Sequence, residues 1–287
     1  MQNIEEEIKK LIDSFDGKAC IYISDEKGNI IKHNENEVVE TASCIKLFIL
    51  IEYYNQILKN LKSRQDLIYY SAKDDHVDNG SGILQYLEDM SITSKNMAIL
   101  MTIVSDNIAT DKMIDYLGFD NINNTIKELG FENTYLISKK LDFNIYHSVG
   151  RTTAYEYAKA YKMLLNKEIL LPELCDEIID ILKNQNYRTM ISRFLTPKDM
   201  EEMKVEDGFI NYIATKSGAL GDEGKDDMIN CRNDGGIFST KAGSYIISIF
   251  ISDFKDRGFY IDNPATILGG KISRIVFEHF KENEIIK

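Results

Sequence analysis

The sequence predicts an α/β chain of the α+β type: a five-stranded antiparallel sheet flanked by N- and C-terminal helices, carrying an all-helical subdomain. Three observations predict it. Apolar and polar residues alternate in 20–24 and again in 30–33, on either side of Lys27-Gly28-Asn29, which is the signature of a hairpin with Gly in its turn. From 81 to 182 the apolar spacing is helical almost throughout. After about residue 193 it gives way to β-branched and aromatic runs separated by Gly-rich turns.

Taken in order, residues 1–12 read as an amphipathic first helix. They lack a basic n-region, an apolar h-region and a small-residue cleavage site, so they do not read as a signal peptide. A cytoplasmic protein is expected, or an extracellular or periplasmic one if a leader has been removed. The hairpin follows, then a helix over 43–58. Further helices are expected over 83–88, 94–104, 109–117, 122–129, 153–165 and 172–182, with Gly118 and Gly130 where C-caps belong. Strands are expected over 211–216, 228–237 and 244–251, and a last helix over 264–280. This order divides the chain into an α/β part, 1–42 with 193–287, and an inserted helical part, 43–192. The two are expected to form one structural unit with the site between them.

Composition narrows the function. The 287 residues suffice for one large domain or two intimate subdomains. The formal net charge is -12 and the basic residues are scattered, so nucleic acid is a poor partner. No apolar run approaches the roughly 20 residues of a membrane helix. Cys20, Cys44, Cys175 and Cys231 are widely spaced and show no metal-ligand pattern, which favours free core thiols over disulfides. No metal or cofactor is expected, and the expected partner is a small-molecule substrate.

Three short motifs carry the chemistry. Ser43-Cys44-Ile45-Lys46 is an S-x-x-K, but so are Ser24-Asp25-Glu26-Lys27 and Ser252-Asp253-Phe254-Lys255. The latter two sit at strand ends beside acidic turn residues, where Ser and Asp serve turns. Ser43 instead opens an apolar helix, which puts Lys46 one turn away on the same face, within reach of the hydroxyl. Standing alone, Ser43 is equally well a plain N-cap. Ser105-Asp106-Asn107 occurs once, between two helical runs, where a C-cap followed by an N-cap is the simpler explanation of the tripeptide taken alone. Lys216-Ser217-Gly218 ends a strand, where a Lys and a hydroxyl suit a carboxylate and Gly admits a ligand close to the backbone. An ordinary strand-to-turn sequence is the simple alternative. All three motifs in order, each on its required element, are hard to obtain by chance.

The set resembles the serine β-lactamase and penicillin-binding signatures. Gly80-Ser81-Gly82-Ile83-Leu84-Gln85, Ser105-Asp106-Asn107-Ile108-Ala109-Thr110, Tyr116-Leu117-Gly118 and Asn233-Asp234-Gly235-Gly236-Ile237 are similar to class A β-lactamases, and the resemblance spans nearly the whole chain. It implies that Ser43 attacks a lactam or amide carbonyl and forms an acyl-enzyme. Lys46 would act as base or relay, with its proton affinity lowered by burial and by cations such as Lys216. Ser105 would pass the proton to the leaving nitrogen. The N–H groups of Ser43 and Ala219 would form the oxyanion hole. Asn107, Lys216, Ser217 and Gly218 would hold the substrate.

One family feature is missing. Class A enzymes carry an E-x-x-L-N loop whose Glu activates the deacylating water, and none is present. Lys140-Leu141-Asp142 resembles the family's R-x-E at that point, which makes Asp142 the candidate base, one methylene shorter than Glu. Asp142 as a loop-ordering residue is the competing reading. Glu132 and Glu156 are weaker candidates, both read as exposed. The expected function is therefore β-lactam opening through Ser43 with slow deacylation. A serine amidohydrolase, a D-peptidase-like or penicillin-binding enzyme on the same fold is the alternative, and a non-catalytic ligand-binding module a remote one.

Overall fold

A computed structural model describes residues 2–75, 80–141, 148–196, 199, 209–221 and 229–285. Its helices are α1 (Gln2–Asp13), α2 (Lys46–Leu58), α3 (Ser94–Ile103), α4 (Asn107–Leu117), α5 (Phe119–Glu128), α6 (Ala154–Leu165), α7 (Pro172–Lys183) and α8 (Pro264–Ile285). Its strands are β1 (Lys18–Asp25), β2 (Ile30–His33), β3 (Val39–Glu40), β4 (Leu67–Tyr70), β5 (Met90–Thr93), β6 (Tyr135–Leu136), β7 (Gly150–Thr152), β8 (Ile210–Thr215), β9 (Gly218–Leu220), β10 (Cys231–Thr240) and β11 (Gly243–Ser252). They fall into two compact units. One comprises Met1–Val39, Thr153–Lys162 and Arg188–Lys287, the other Glu40–Thr152 and Met163–Tyr187.

The first unit is built on an antiparallel sheet of order β2-β1-β11-β10-β8, in which β9 also pairs with β10. Alternation decides its faces. Tyr245, Ile247, Ile249 and Ile251 of β11 join a core with Ile4, Ile8 and Ile12 of α1 and Leu268, Ile272, Val276 and Phe277 of α8. Each such side chain contributes about 1.5–3 kcal/mol when fully buried. On the opposite face, Phe250 meets the Tyr157 ring of α6 edge-on, with centroids 5.3 Å apart. That ring also explains Gly235, since a Cβ there would come within 2.7 Å of Tyr157. At Gly236 a Cβ would lie 2.2 Å from the Ala214 carbonyl oxygen.

The second unit centres on α2. Ten of its residues, among them Lys46 to Tyr54 without a break, are buried, so the helix is enclosed on every side, with its buried Glu52 accepting a hydrogen bond from Gln56. Two small antiparallel sheets, β4-β5 and β3-β7-β6, accompany its helices.

The five-stranded sheet with flanking terminal helices is present, and some details differ from the expectation. β9 is an additional short strand beside β10. The second unit contains short strands as well as helices, because β4 and β5 have only four residues each and β6 two, too few to show a period. The expected helix over 83–88 is a single 3-10 turn, Leu84–Tyr86.

Candidate active site

Ser43 does not open an α-helix. It lies in a 3-10 turn, Ala42–Ile45, and α2 begins at Lys46. Three-residue turns eclipse positions i and i+3, so Ser43 and Lys46 still share a face. Ser43 is half-buried, while Ala42, Cys44, Ile45 and Lys46 are fully buried. Ala42 adopts φ +46°, a conformation that costs a non-glycine residue free energy and persists only when its surroundings impose it. Glu40 helps impose it. Its carboxylate, 3% exposed, accepts the N–H groups of Ala42 and Val149 at 3.0 Å and of Gly150 at 3.3 Å, together with the Ser148 hydroxyl and Arg151 at 3.1 Å. The turn that carries Ser43 is thereby tied to residues 148–151.

The Lys46 amine is completely buried and meets three oxygens of the second motif: the Ser105 carbonyl at 2.7 Å, Asn107 Oδ1 at 2.9 Å and the Ser105 hydroxyl at 3.1 Å. An ammonium can donate to all three. A neutral amine can donate to the two carbonyls and accept from the hydroxyl, so this geometry suits both ends of a proton transfer. Ser105 reaches it at φ +53°. Asp106 secures that bend as the N-cap of α4, accepting the Ala109 N–H on one oxygen and the Ile83 and Leu84 N–H groups on the other. Capping and chemistry thus coexist in one tripeptide.

The third motif belongs to the first unit. Lys216 and Ser217 occupy the break between β8 and β9, and Gly218 and Ala219 begin β9. The Lys216 N–H bonds the Gly235 carbonyl at 3.1 Å, its carbonyl accepts the Tyr157 hydroxyl at 2.7 Å, and its amine donates to the Ser217 carbonyl at 2.7 Å. Ser217 and Ala219 are half-buried. In the same unit, burial pushes the Asp234 carboxyl up to about 7, against the Ile191 and Gly235 N–H groups and the charges of Lys216 and Arg188, which pull it down.

The structure therefore brings Ser43, Lys46, Ser105 and Asn107 together in the second unit and sets Lys216, Ser217, Gly218 and Ala219 in sequence in the first. Asp142 lies outside the described residues. Glu132 is exposed as expected, but Glu156 is only 5% exposed, because α6 is buried on nearly every side. Two acids escaped the sequence reading, Glu40 and Asp111, and Asp234 entered it only within the segment 233–237, with no role of its own. Asp111 carried a signal, standing four residues after Asn107 on one helix. Among the described residues no group of three or more His, Cys, Asp or Glu could hold a metal ion, and no helix is long and apolar enough to cross a membrane.

Known proteins share this fold. The sequence pattern of the Beta-lactamase enzyme family matches residues 3–280. Among solved structures, a β-lactamase from Sphaerobacter thermophilus is similar at 23% identity and a TM-score of 0.81, covering 98% of this chain and 97% of that one. A β-lactamase from Chitinophaga pinensis is similar at 18% identity and a TM-score of 0.82, covering 96% and 99%. A mutant of PBP-A, solved as an acyl-enzyme complex with penicillin-G, is similar at 23% identity and a TM-score of 0.81, covering 98% and 97%. A comparison with curated proteins finds no match. A pattern that fits nearly the whole chain assigns it: this protein belongs to the Beta-lactamase enzyme family, and is a hydrolase of the kind that acts on β-lactam amide bonds.

Proposed function

We propose that this protein opens β-lactams by forming an acyl-enzyme on Ser43 and releases the product slowly. The observation that carries the reading is the buried Lys46 amine, held by Ser105 and Asn107 and one 3-10 turn from half-buried Ser43. Lys46 takes the Ser43 proton as the oxygen attacks the lactam carbonyl. Ser105 passes a proton to the leaving nitrogen. The Ser43 and Ala219 N–H groups receive the oxyanion, and Asn107, Lys216, Ser217 and Gly218 hold the substrate's amide and carboxylate. Asp142 is the carboxylate we assign to the deacylating water. Its shorter reach is the reason for slow release, since about 1 Å of misplacement costs roughly 10²-fold. The acidity of the chain supports a small-molecule substrate over a nucleic acid. Four buried cysteine thiols suit a reducing compartment and support a cytoplasmic setting.

Intact-protein mass spectrometry after mixing with a penicillin tests this directly. The expected result is a covalent adduct on Ser43 that decays over time and is absent from Ser43→Ala. An adduct that never decays defeats the hydrolytic half of the proposal, and no adduct at all defeats the assignment of Ser43.

A further inference from the structure

Asp111 stands on α4 one turn beyond Asn107, and positions four apart on a helix are neighbours. It therefore lies along the face whose Asn107 meets the Lys46 amine. One carboxylate oxygen accepts the Leu141 N–H at 2.7 Å. Burial pushes the carboxyl up to about 6. The charged groups that act on it come from three places: Lys46 on α2 and Lys140 beside Leu141 pull it down, and Asp115 on its own helix pushes it up. This half-buried acid holds the chain at Leu141 and stands one helical turn from the residue that meets the Lys46 amine.

We propose that Asp111 is a positioning residue for the reaction at Ser43: its carboxylate anchors the chain at Leu141 and stabilises the ammonium that Lys46 becomes when it takes the Ser43 proton. The inference rests on the acyl-enzyme reading above. In that step the Ser43 O–H bond breaks, its proton joins the lone pair on Lys46 Nζ, and the freed oxygen pair bonds the lactam carbonyl carbon as the C=O pair moves onto oxygen. Asp111 exchanges no atom in it. Its negative charge is worth more after the proton has reached Lys46 than before, and only such differential stabilisation accelerates a step. Protonated, Asp111 can keep its bond to Leu141 but loses that effect, so activity should rise with pH as Asp111 ionises.

The test is the pH profile of kcat/KM for a chromogenic cephalosporin, with Ser43→Ala as the blank. The native enzyme should show an acid limb with an apparent pKa of about 6. Asp111→Asn keeps an acceptor for Leu141 and removes the charge. It should lower kcat/KM at neutral pH about tenfold or more, the equivalent of one pKa unit of lost ammonium stabilisation, and lose that limb. Asp111→Glu should restore the limb. An Asp111→Asn enzyme with the native profile overturns the proposal. A second measurement needs neither turnover nor an Asp111 variant. Coupling is reciprocal, so carboxyl ¹³C NMR should find the Asp111 midpoint higher in Lys46→Ala than in the native protein. An unchanged midpoint overturns the proposal even if acylation at Ser43 is confirmed. A raised midpoint in a protein that forms no adduct upholds the coupling and defeats the functional reading alone.

Discussion

Ser105 shows how much one position is asked to do. Its backbone sits at φ +53°, its carbonyl and hydroxyl both face the Lys46 amine, and it is 4% exposed. Serine does not choose that angle by propensity, so the surrounding hydrogen bonds of Asp106 must impose it. Ser105→Ala removes only the hydroxyl. Lys46 keeps its two carbonyl partners, so the thermal midpoint should stay within a few degrees of native. Acylation by a penicillin, followed by stopped-flow or quenched mass spectrometry, should slow by about 10²–10⁴-fold if the hydroxyl carries a proton. A variant that acylates at the native rate would remove Ser105 from the relay. The spacing of Ser43 and Lys46 and the order of the three motifs were legible because they are local. The partnership of Asp111 with Leu141 was not, since 30 residues separate them and only the folded chain closes the gap.

At the level of elements, long amphipathic segments were legible and short ones were not. α4 and α7 begin and end within a few residues of their expected bounds because period and caps agree. The three-residue strand β7 and its two-residue partners offer no period to read, yet they help secure the turn that carries Ser43. Glu40, in β3, is the joint. It satisfies backbone N–H groups of Ala42, Val149 and Gly150 and faces Arg151, all from inside the protein. Glu40→Ala leaves those donors unpaired at a site closed to water. Urea unfolding should find it less stable by roughly 3 kcal/mol or more, as expected when a buried charged acceptor is removed from its partners. Any folded fraction should also acylate more slowly, since Ala42 loses the bond that favours its positive φ. Native stability in Glu40→Ala would show that other contacts hold the turn.

For the molecule as a whole, acidity makes pH the natural variable, and two buried acids of the first unit pull in opposite directions. At Asp199, burial pushes the pKa up, but Thr196, Arg274 and Lys281 donate to the carboxylate and hold it well below the usual range. The stability it adds is complete above its unfolded pKa and is lost as the pH falls toward the folded one. Asp234 has the reverse sign. Folded, it keeps its proton up to about 7. Unfolded, it releases it near 4, so over that interval the native state binds the extra proton and stability declines as the pH rises. Asp234→Asn removes only this second dependence. The variant also loses an acceptor for the Ile191 or the Gly235 N–H, a cost that does not vary with pH. The informative quantity is therefore the change in the Tm difference between variant and native. Between pH 5 and pH 8 it should move in the variant's favour by roughly 5 °C, taking about 1.4 kcal/mol per pKa unit and a few degrees per kcal/mol for a chain of this size. A Tm difference that stays constant over that interval would mean that Asp234 is already ionised in the folded sheet, with Lys216 and Arg188 outweighing its burial.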